Sequence, residues 1–204
     1  MSRHFIEMTP PATRAMTAPE LRELHDRKAR ALARRPALAR GVGQACVHLS
    51  EGFVCEIHDE DQLTRLDLPE SEGGTACAPD PGQLMRASLG GCLATGYRSW
   101  AARLGTPIDT VDIEIVCEYD HRGHTGLEAQ VSVGWQRITF HVIIVSSAPE
   151  EAVRLVVETA DRLSPMLANL SAALLRSHRL TVLPSRPRDF RSIEDTTPSQ
   201  RNRP

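Results

Sequence analysis

Between Asp80 and Gly105 the chain carries a helical pattern with both ends marked and its middle stripped of bulk. Asp80 is a good cap, Pro81 is pre-shaped for the first helical position, and Gln83 stands where a capping box needs it. Gly105 closes the segment and Pro107 follows it, as at many helix ends. A helix of this length has to be a central element in a chain of 204 residues. Its interior runs through Ser88, Gly90, Gly91, Cys92, Ala94, Thr95 and Gly96. Each interior glycine costs about 1 kcal/mol relative to alanine. Two adjacent ones predict a point where another backbone crosses closely.

The flanking segments alternate instead. Ala45, Val47 and Leu49, then Phe53, Cys55 and Ile57, have period two on either side of Glu51-Gly52 and predict a hairpin. A short strand near Leu63–Leu66 follows in an acidic loop. Val111, Ile113, Ile115, Cys117 and Tyr119 predict a strand with those residues inward. Asp120–His124 is turn-like, and Val131–Gly134 and Arg137–Val145 carry further strand signals. Ser147-Ala148-Pro149-Glu150 predicts a capped helix to Leu163, and Ser164-Pro165 predicts its break and restart, with Leu167, Leu170 and Leu174 apolar. Arg179–Leu183 reads as a last strand. Upstream, Thr17 and Glu20 form a capping box for a helix that stops before Pro36. The order is α+β, with antiparallel strands around one long helix.

Charge divides the chain further. Residues 1–41 carry a net +5, residues 42–183 a net −9 and residues 184–204 a net +2. The expected organisation is a basic arm with a helix (1–41), one folded domain (42–183) and a disordered tail (184–204). No aromatic residue is interleaved with the arm's arginines, which argues against nucleic acid. The longest apolar run, around Val142–Val145, is far short of the ~20 residues of a membrane span. Met1–Pro11 lacks a secretory signal's apolar core, and five cysteines without a CxxC spacing fit a reducing, cytoplasmic setting.

No P-loop, dinucleotide glycine motif, HExxH or GxSxG is present, so no cofactor or metal motif directs the chemistry. Cys46, His48 and Cys55 would share one hairpin face if the turn were Glu51-Gly52, giving three zinc-type ligands without a fourth; no metal site is assigned. His121 and His124 read as solvated turn residues. Cys92 is the informative residue: a thiol in mid-helix among small neighbours, at the expected crossing. A reactive thiol and a plain buried one are both open there. It lies too far into the helix for the N-terminal dipole, so Arg86 and Arg98 are its local candidates for activation.

The run Asp80-Pro81-Gly82-Gln83-Leu84-Met85-Arg86-Ala87-Ser88-Leu89-Gly90-Gly91-Cys92-Leu93-Ala94 resembles the cysteine-bearing helix of the OsmC/Ohr proteins. Ala102–Ile108, the Val111–Tyr119 strand and the helix pair broken at Ser164-Pro165 match by order and pattern, so the resemblance spans about residues 42–183. It implies an intertwined homodimer with sheets wrapped around long central helices. It also implies an interfacial thiol that reduces organic hydroperoxides, by way of a sulfenic acid resolved by a second cysteine. Carried over, the reactive cysteine is Cys92. The resolving position holds Ser164, the position of the usual Glu holds Gly82, and no Arg lies in the first hairpin, Arg40 being the nearest upstream. A serine oxygen cannot resolve a sulfenic acid as a disulfide. Cys77, in the loop before the helix, is a substitute resolver to consider.

Two readings follow. One is a one-cysteine, thiol-dependent reductase of organic or fatty-acyl hydroperoxides acting through Cys92. Its partners would be a small apolar peroxide and a thiol reductant. The other is a non-catalytic dimer that has left peroxidase chemistry and binds a small apolar ligand.

Overall fold

The structure is a computed structural model describing residues 14–49, 51–172, 177 and 179–181. Its elements are α1 (Ala18–Arg34), β1 (Ala45–Leu49), β2 (Cys55–Asp59), β3 (Gln62–Leu66), α2 (Pro81–Leu104), β4 (Thr110–Glu118), the four-residue α3 (His121–His124), β5 (Arg137–Val145), α4 (Glu150–Arg162) and α5 (Pro165–Ser171). Among the described residues all sheet pairing is antiparallel, in an α+β arrangement. No described helix is long and apolar enough to cross a membrane. The contacts divide into two compact units, residues 43–84 in one and residues up to 42 with 85–172 in the other.

In the 43–84 unit the strands lie in the order β1-β2-β3. Asp59 pairs with Gln62, so Glu60 and Asp61 make a two-residue turn, with Glu60 at a φ of 50°. The β1–β2 connection is longer than Glu51-Gly52: Leu49 pairs with Cys55 and His48 with Glu56. That register is one residue off the expected one, and a one-residue slip moves side chains to the opposite face.

After β3 the chain wraps around Asp67, whose side chain is completely buried. Its carboxylate accepts from the Thr75 hydroxyl at 2.6 Å and from the N–H groups of Leu68, Thr75 and Cys77 at 2.8, 2.9 and 3.2 Å. The Thr75 hydroxyl, helped by the backbone N–H groups, holds this carboxyl well below the usual carboxylate range, against burial, which pushes it up. Gly74 is obligatory in the loop, since a Cβ there would stand 1.9 Å from the Leu68 carbonyl oxygen. The linkage has a definite sign. A lowered folded value contributes stability that is full above the unfolded pKa of about 3.9, declines as pH falls below it and is gone below the lower, folded one. Slow exchange of the Thr75 and Cys77 amides is therefore expected to survive at about pH 4. Asp67→Asn, with one acceptor oxygen in place of two, should lose it at every pH; equal protection in wild type and variant would contradict this.

α2 starts at the end of the 43–84 unit and, from Met85 on, forms the base of the second unit. Asp80 and Gln83 form the expected reciprocal cap, each backbone N–H donating to the other's side chain at 2.8 Å. Leu89, Leu93, Tyr97 and Ala101 recur every four residues along one face and are buried with Ile108, Val156 and Ala160. Val111, Ile113 and Ile115 from β4 and Phe140, Val142 and Ile144 from β5 pack on that cluster, as do Met166, Leu167 and Leu170 from α5. Leu174 lies outside the described residues, as do most of the expected last strand and the whole of the tail at 184–204. Arg179–Thr181, the described part of that strand, has no strand structure.

Several expectations need correction. Within the single chain, the glycine pair meets a side chain and not a backbone: a Cβ on Gly90 would meet the Ile115 side chain at 3.2 Å, and one on Gly91 would meet nothing within 4 Å. Gly90 makes room for a strand side chain. Val131–Gly134 is not a strand; its backbone closes over α3, where a Cβ on Gly123 would lie 2.4 Å from the Ser132 carbonyl oxygen. Tyr119 lies beyond the end of β4 and is 51% exposed rather than inward. α4 begins without the Ser147 capping box, with Pro149 at the cap position. Instead the Ser146 hydroxyl accepts from Ala148 N–H at 3.0 Å and donates to the Pro107 carbonyl at 2.5 Å.

α1 has its expected start, with the Glu20 carboxylate accepting from the Thr17 N–H at 2.7 Å and its hydroxyl at 2.8 Å. None of its residues is buried. Two polar contacts tie it to the end of α2: Arg22 Nε donates to the Ala102 carbonyl at 2.9 Å, and His25 Nε2 lies 2.9 Å from the Ser99 hydroxyl. The arginine satisfies a carbonyl in the last turn of α2, where cations also suit the helix dipole.

Candidate functional site

Cys92 is half-buried on α2, one position before the buried Leu93. Its sulfur lies 3.8 Å from the Ser164 hydroxyl oxygen, a separation at which either group can donate. Ser164 is buried, 6% exposed, at the break between α4 and α5. Its extended backbone (φ −75°, ψ 118°) and the following Pro165 make it the cap of α5, and its oxygen accepts from the Leu167 N–H at 3.3 Å. The serine that the resemblance sets at the resolving position thus lies against the Cys92 thiol across the helix packing.

A second contact fixes that arrangement. The Tyr97 hydroxyl donates to Asp161 Oδ1 at 2.8 Å, and the Asp161 carbonyl accepts from the Ser164 N–H at 3.2 Å. Burial, then the hydrogen bond to Asp161 and its charge, push the Tyr97 phenol well above its ordinary range. Tyr97 therefore stays neutral and acts as a donor that ties α2 to the end of α4. The sequence reading passed over this pair. Its signal was a tyrosine in register with Leu89, Leu93 and Ala101, since a buried phenol needs a partner for its O–H.

Neither local arginine takes a place at Cys92. Arg98 donates to the Ile108 carbonyl and, at 3.5 Å, to that of Asp109. Arg86 lies on the β4 side of α2, where its charge favours the Cys117 thiolate while burial, the larger effect, pushes that thiol up. Arg86 also lines a groove of about 400 Å³ with Ala87, Gly90, Gly91, Ala94, Ile113 and Ile115. Cys92 is not part of it; two residues from Gly90, it points about 200° round the helix.

The remaining candidates are scattered. Gly82 is half-buried in the first turn of α2 and offers no side chain. Arg40 and Cys77 are exposed. Cys46 and His48 share a face of the β1–β2 pair with Glu56 and His58, while Cys55 lies on the other face with Leu49. The one-residue register slip thus breaks the imagined three-ligand set, and among the described residues no three such side chains could hold a metal ion. His121 and His124 stand edge to face, with ring centroids 6.1 Å apart.

Residues 72–175 match the family model described as OsmC-like protein. This chain belongs to the OsmC-like protein family. No curated protein matches it. Among solved structures, the OsmC-like protein of Mycoplasma pneumoniae superposes with a TM-score of 0.55 at 15% identity, over 64% of this chain and 88% of that one. An OsmC-like protein of unknown function from Vibrio cholerae superposes at 0.54 with 9% identity, over 64% and 94%. An organic hydroperoxide resistance protein OsmC from Legionella pneumophila gives 0.49 at 17% identity, over 64% and 89%. The first two likenesses establish the OsmC-like fold, in which antiparallel sheets accompany a long helix.

Proposed function

We propose that this OsmC-like protein is a one-cysteine thiol peroxidase that reduces organic or fatty-acyl hydroperoxides through Cys92. The observation that carries the reading is the 3.8 Å approach of the Cys92 sulfur to the Ser164 oxygen. The thiol keeps its place opposite the residue that would resolve it, while that residue has no sulfur. In the cycle, the Cys92 thiolate attacks the terminal oxygen of R–O–O–H. The S–O bond forms as the O–O bond breaks, two electrons pass from sulfur to the peroxide, and the alkoxide leaves and is protonated to the alcohol. A small thiol then attacks the sulfenic sulfur and releases water, giving a mixed disulfide. A second thiol displaces Cys92 and carries away the oxidised pair. No cofactor or metal enters.

The same reading makes the protein a homodimer in a reducing, cytoplasmic setting, with residues 42–183 as the OsmC-like part and the basic α1 segment as an arm. Apolar side chains left half out in each unit support the pairing: Val47 and Leu63 in one are 58% and 55% exposed, and Ile143 and Leu155 in the other are 51% and 53% exposed. Exposing the protein to excess cumene hydroperoxide with a sulfenic-acid trap should label Cys92 in peptide mass spectra. An unlabelled Cys92 under those conditions would falsify the peroxidase reading.

The second reading, a non-catalytic binder of a small apolar ligand, draws support from the Arg86 groove, which leaves Cys92 out. Its walls are apolar apart from Arg86 and suit a small apolar ligand. Binding that is retained when Cys92 is removed would favour it.

A further inference from the structure

We propose that the Ser164 hydroxyl is the hydrogen-bond donor that holds the charged Cys92 sulfur. The role rests on the peroxidase reading, and it deepens that reading by giving the residue at the resolving position a function of its own. A hydroxyl has one proton to donate and two lone pairs to accept with. At Ser164 one acceptor is committed, because the Leu167 N–H can only donate and its partner is the Ser164 oxygen at 3.3 Å. The proton of that hydroxyl is left free. Ser164 is only 6% exposed, so solvent hardly competes for it. Among the described residues the Cys92 sulfur, at 3.8 Å, is the partner in reach.

The direction of the bond follows from the chemistry of the reacting state. A neutral Cys92 could donate its own S–H to serine. A thiolate has no proton, so in the state that attacks peroxide the serine must donate. Hydrogen bonds to charged groups are stronger than neutral ones, and the need for such a group is specific here. Arg98 is committed to the carbonyls of Ile108 and Asp109, Arg86 stands beside Cys117, and Gly82 has no side chain. The cap bond also fixes the serine rotamer. The Asp161 carbonyl, bonded to the Ser164 N–H, and the Tyr97–Asp161 bond set the position of the break against α2. The hydroxyl is thus aimed before the thiol ionises, which is the arrangement that electrostatic stabilisation requires.

Capping and donating separate by substitution. Ser164→Thr keeps both roles. Ser164→Asp keeps the cap, removes the donor and adds a like charge. Ser164→Gly removes the hydroxyl at little cost to the cap. In the full-length protein the rate of iodoacetamide alkylation, read at the Cys92 peptide, should be near wild type for Ser164→Thr. It should fall about fivefold for Ser164→Gly and further for Ser164→Asp. Thermal midpoints should part from reactivity at Gly, which keeps the cap and should melt only slightly below wild type, whereas Asp puts an unpaired charge at a buried position and should melt lower. If Cys92 in Ser164→Gly is alkylated at the wild-type rate, or the rate is the same in all variants, Ser164 is only a cap and the proposal is overturned. Sulfenic-acid trapping on wild type separates this from the parent reading. A labelled Cys92 with indifferent Ser164 variants removes the donor alone. An unlabelled Cys92 with the expected alkylation order removes the peroxidase and leaves the hydrogen bond.

Discussion

Cys92→Ala is expected to lower organic-hydroperoxide consumption, measured with a dithiol reductant, by on the order of 1,000-fold, as when a covalent nucleophile is removed. The reason is that no second sulfur stands ready at the site. Cys46, Cys55, Cys77 and Cys117 are all free thiols, but the oxygen facing Cys92 belongs to serine. Stability should change little, because Cys92 is half-buried and loses only one sulfur atom. An unaltered melting midpoint would show that lost activity comes from chemistry and not from unfolding. Consumption that continued at the wild-type rate in Cys92→Ala would move the reactive centre elsewhere and sink the proposed cycle.

Ser164→Cys is expected to produce an intramolecular disulfide with Cys92 on treatment with hydroperoxide. The two side-chain atoms already stand 3.8 Å apart, and an S–S bond closes that gap to roughly 2.05 Å. The balance differs from that of the wild type. The sulfenic sulfur at Cys92 is attacked by the introduced thiolate, hydroxide leaves as water, and a dithiol reductant must then open the bridge. Mass spectrometry should find the α2 and α5 peptides linked and the protein lighter by two hydrogens. The partners are 72 residues apart in sequence, so the bridge closes a long loop. By the chain-entropy account that contributes up to about 4 kcal/mol of stability, and the oxidised variant should melt higher. If the variant stays reduced under excess hydroperoxide, either Cys92 is not oxidised or the two positions do not meet as described. Sulfenic-acid trapping on the wild type separates these outcomes.

The parts of the fold that were legible before the structure are those set by local chemistry. The Asp80 and Gln83 side chains bond each other's backbone N–H across three residues, so the start of α2 is a short-range fact. The Ser164-Pro165 break is local in the same way, with a cap oxygen and a ring that fixes φ. The strand at Val111–Cys117 was readable from its alternation, which continues as a regular burial pattern through β4. The candidate thiol was legible too, through the resemblance of the Asp80–Ala94 run.

The failures lie where a decision passes between distant segments. The β1–β2 register depends on a connection whose length the alternation leaves open, and a one-residue slip separated Cys55 from Cys46 and His48. The Gly90-Gly91 pair announced a close approach without naming the visitor, and within the chain the visitor is a single Ile115 methyl against Gly90. The Ser147 cap lost to Ser146, whose hydroxyl found the carbonyl of Pro107, 39 residues away.

By itself, then, the sequence determined the long capped helix, the antiparallel strands before and after it in the chain and a cysteine in the helix's middle, because capping, backbone preference and alternation act over a few residues. Only the tertiary structure decided that the Cys92 sulfur meets the Ser164 hydroxyl and that Arg86 and Arg98 turn to other partners. It also showed that Tyr97 and Asp161 hold the break in place. Those outcomes depend on which face of α2 receives β4 and which receives the α4–α5 break, and packing settles that between segments as far as 72 residues apart.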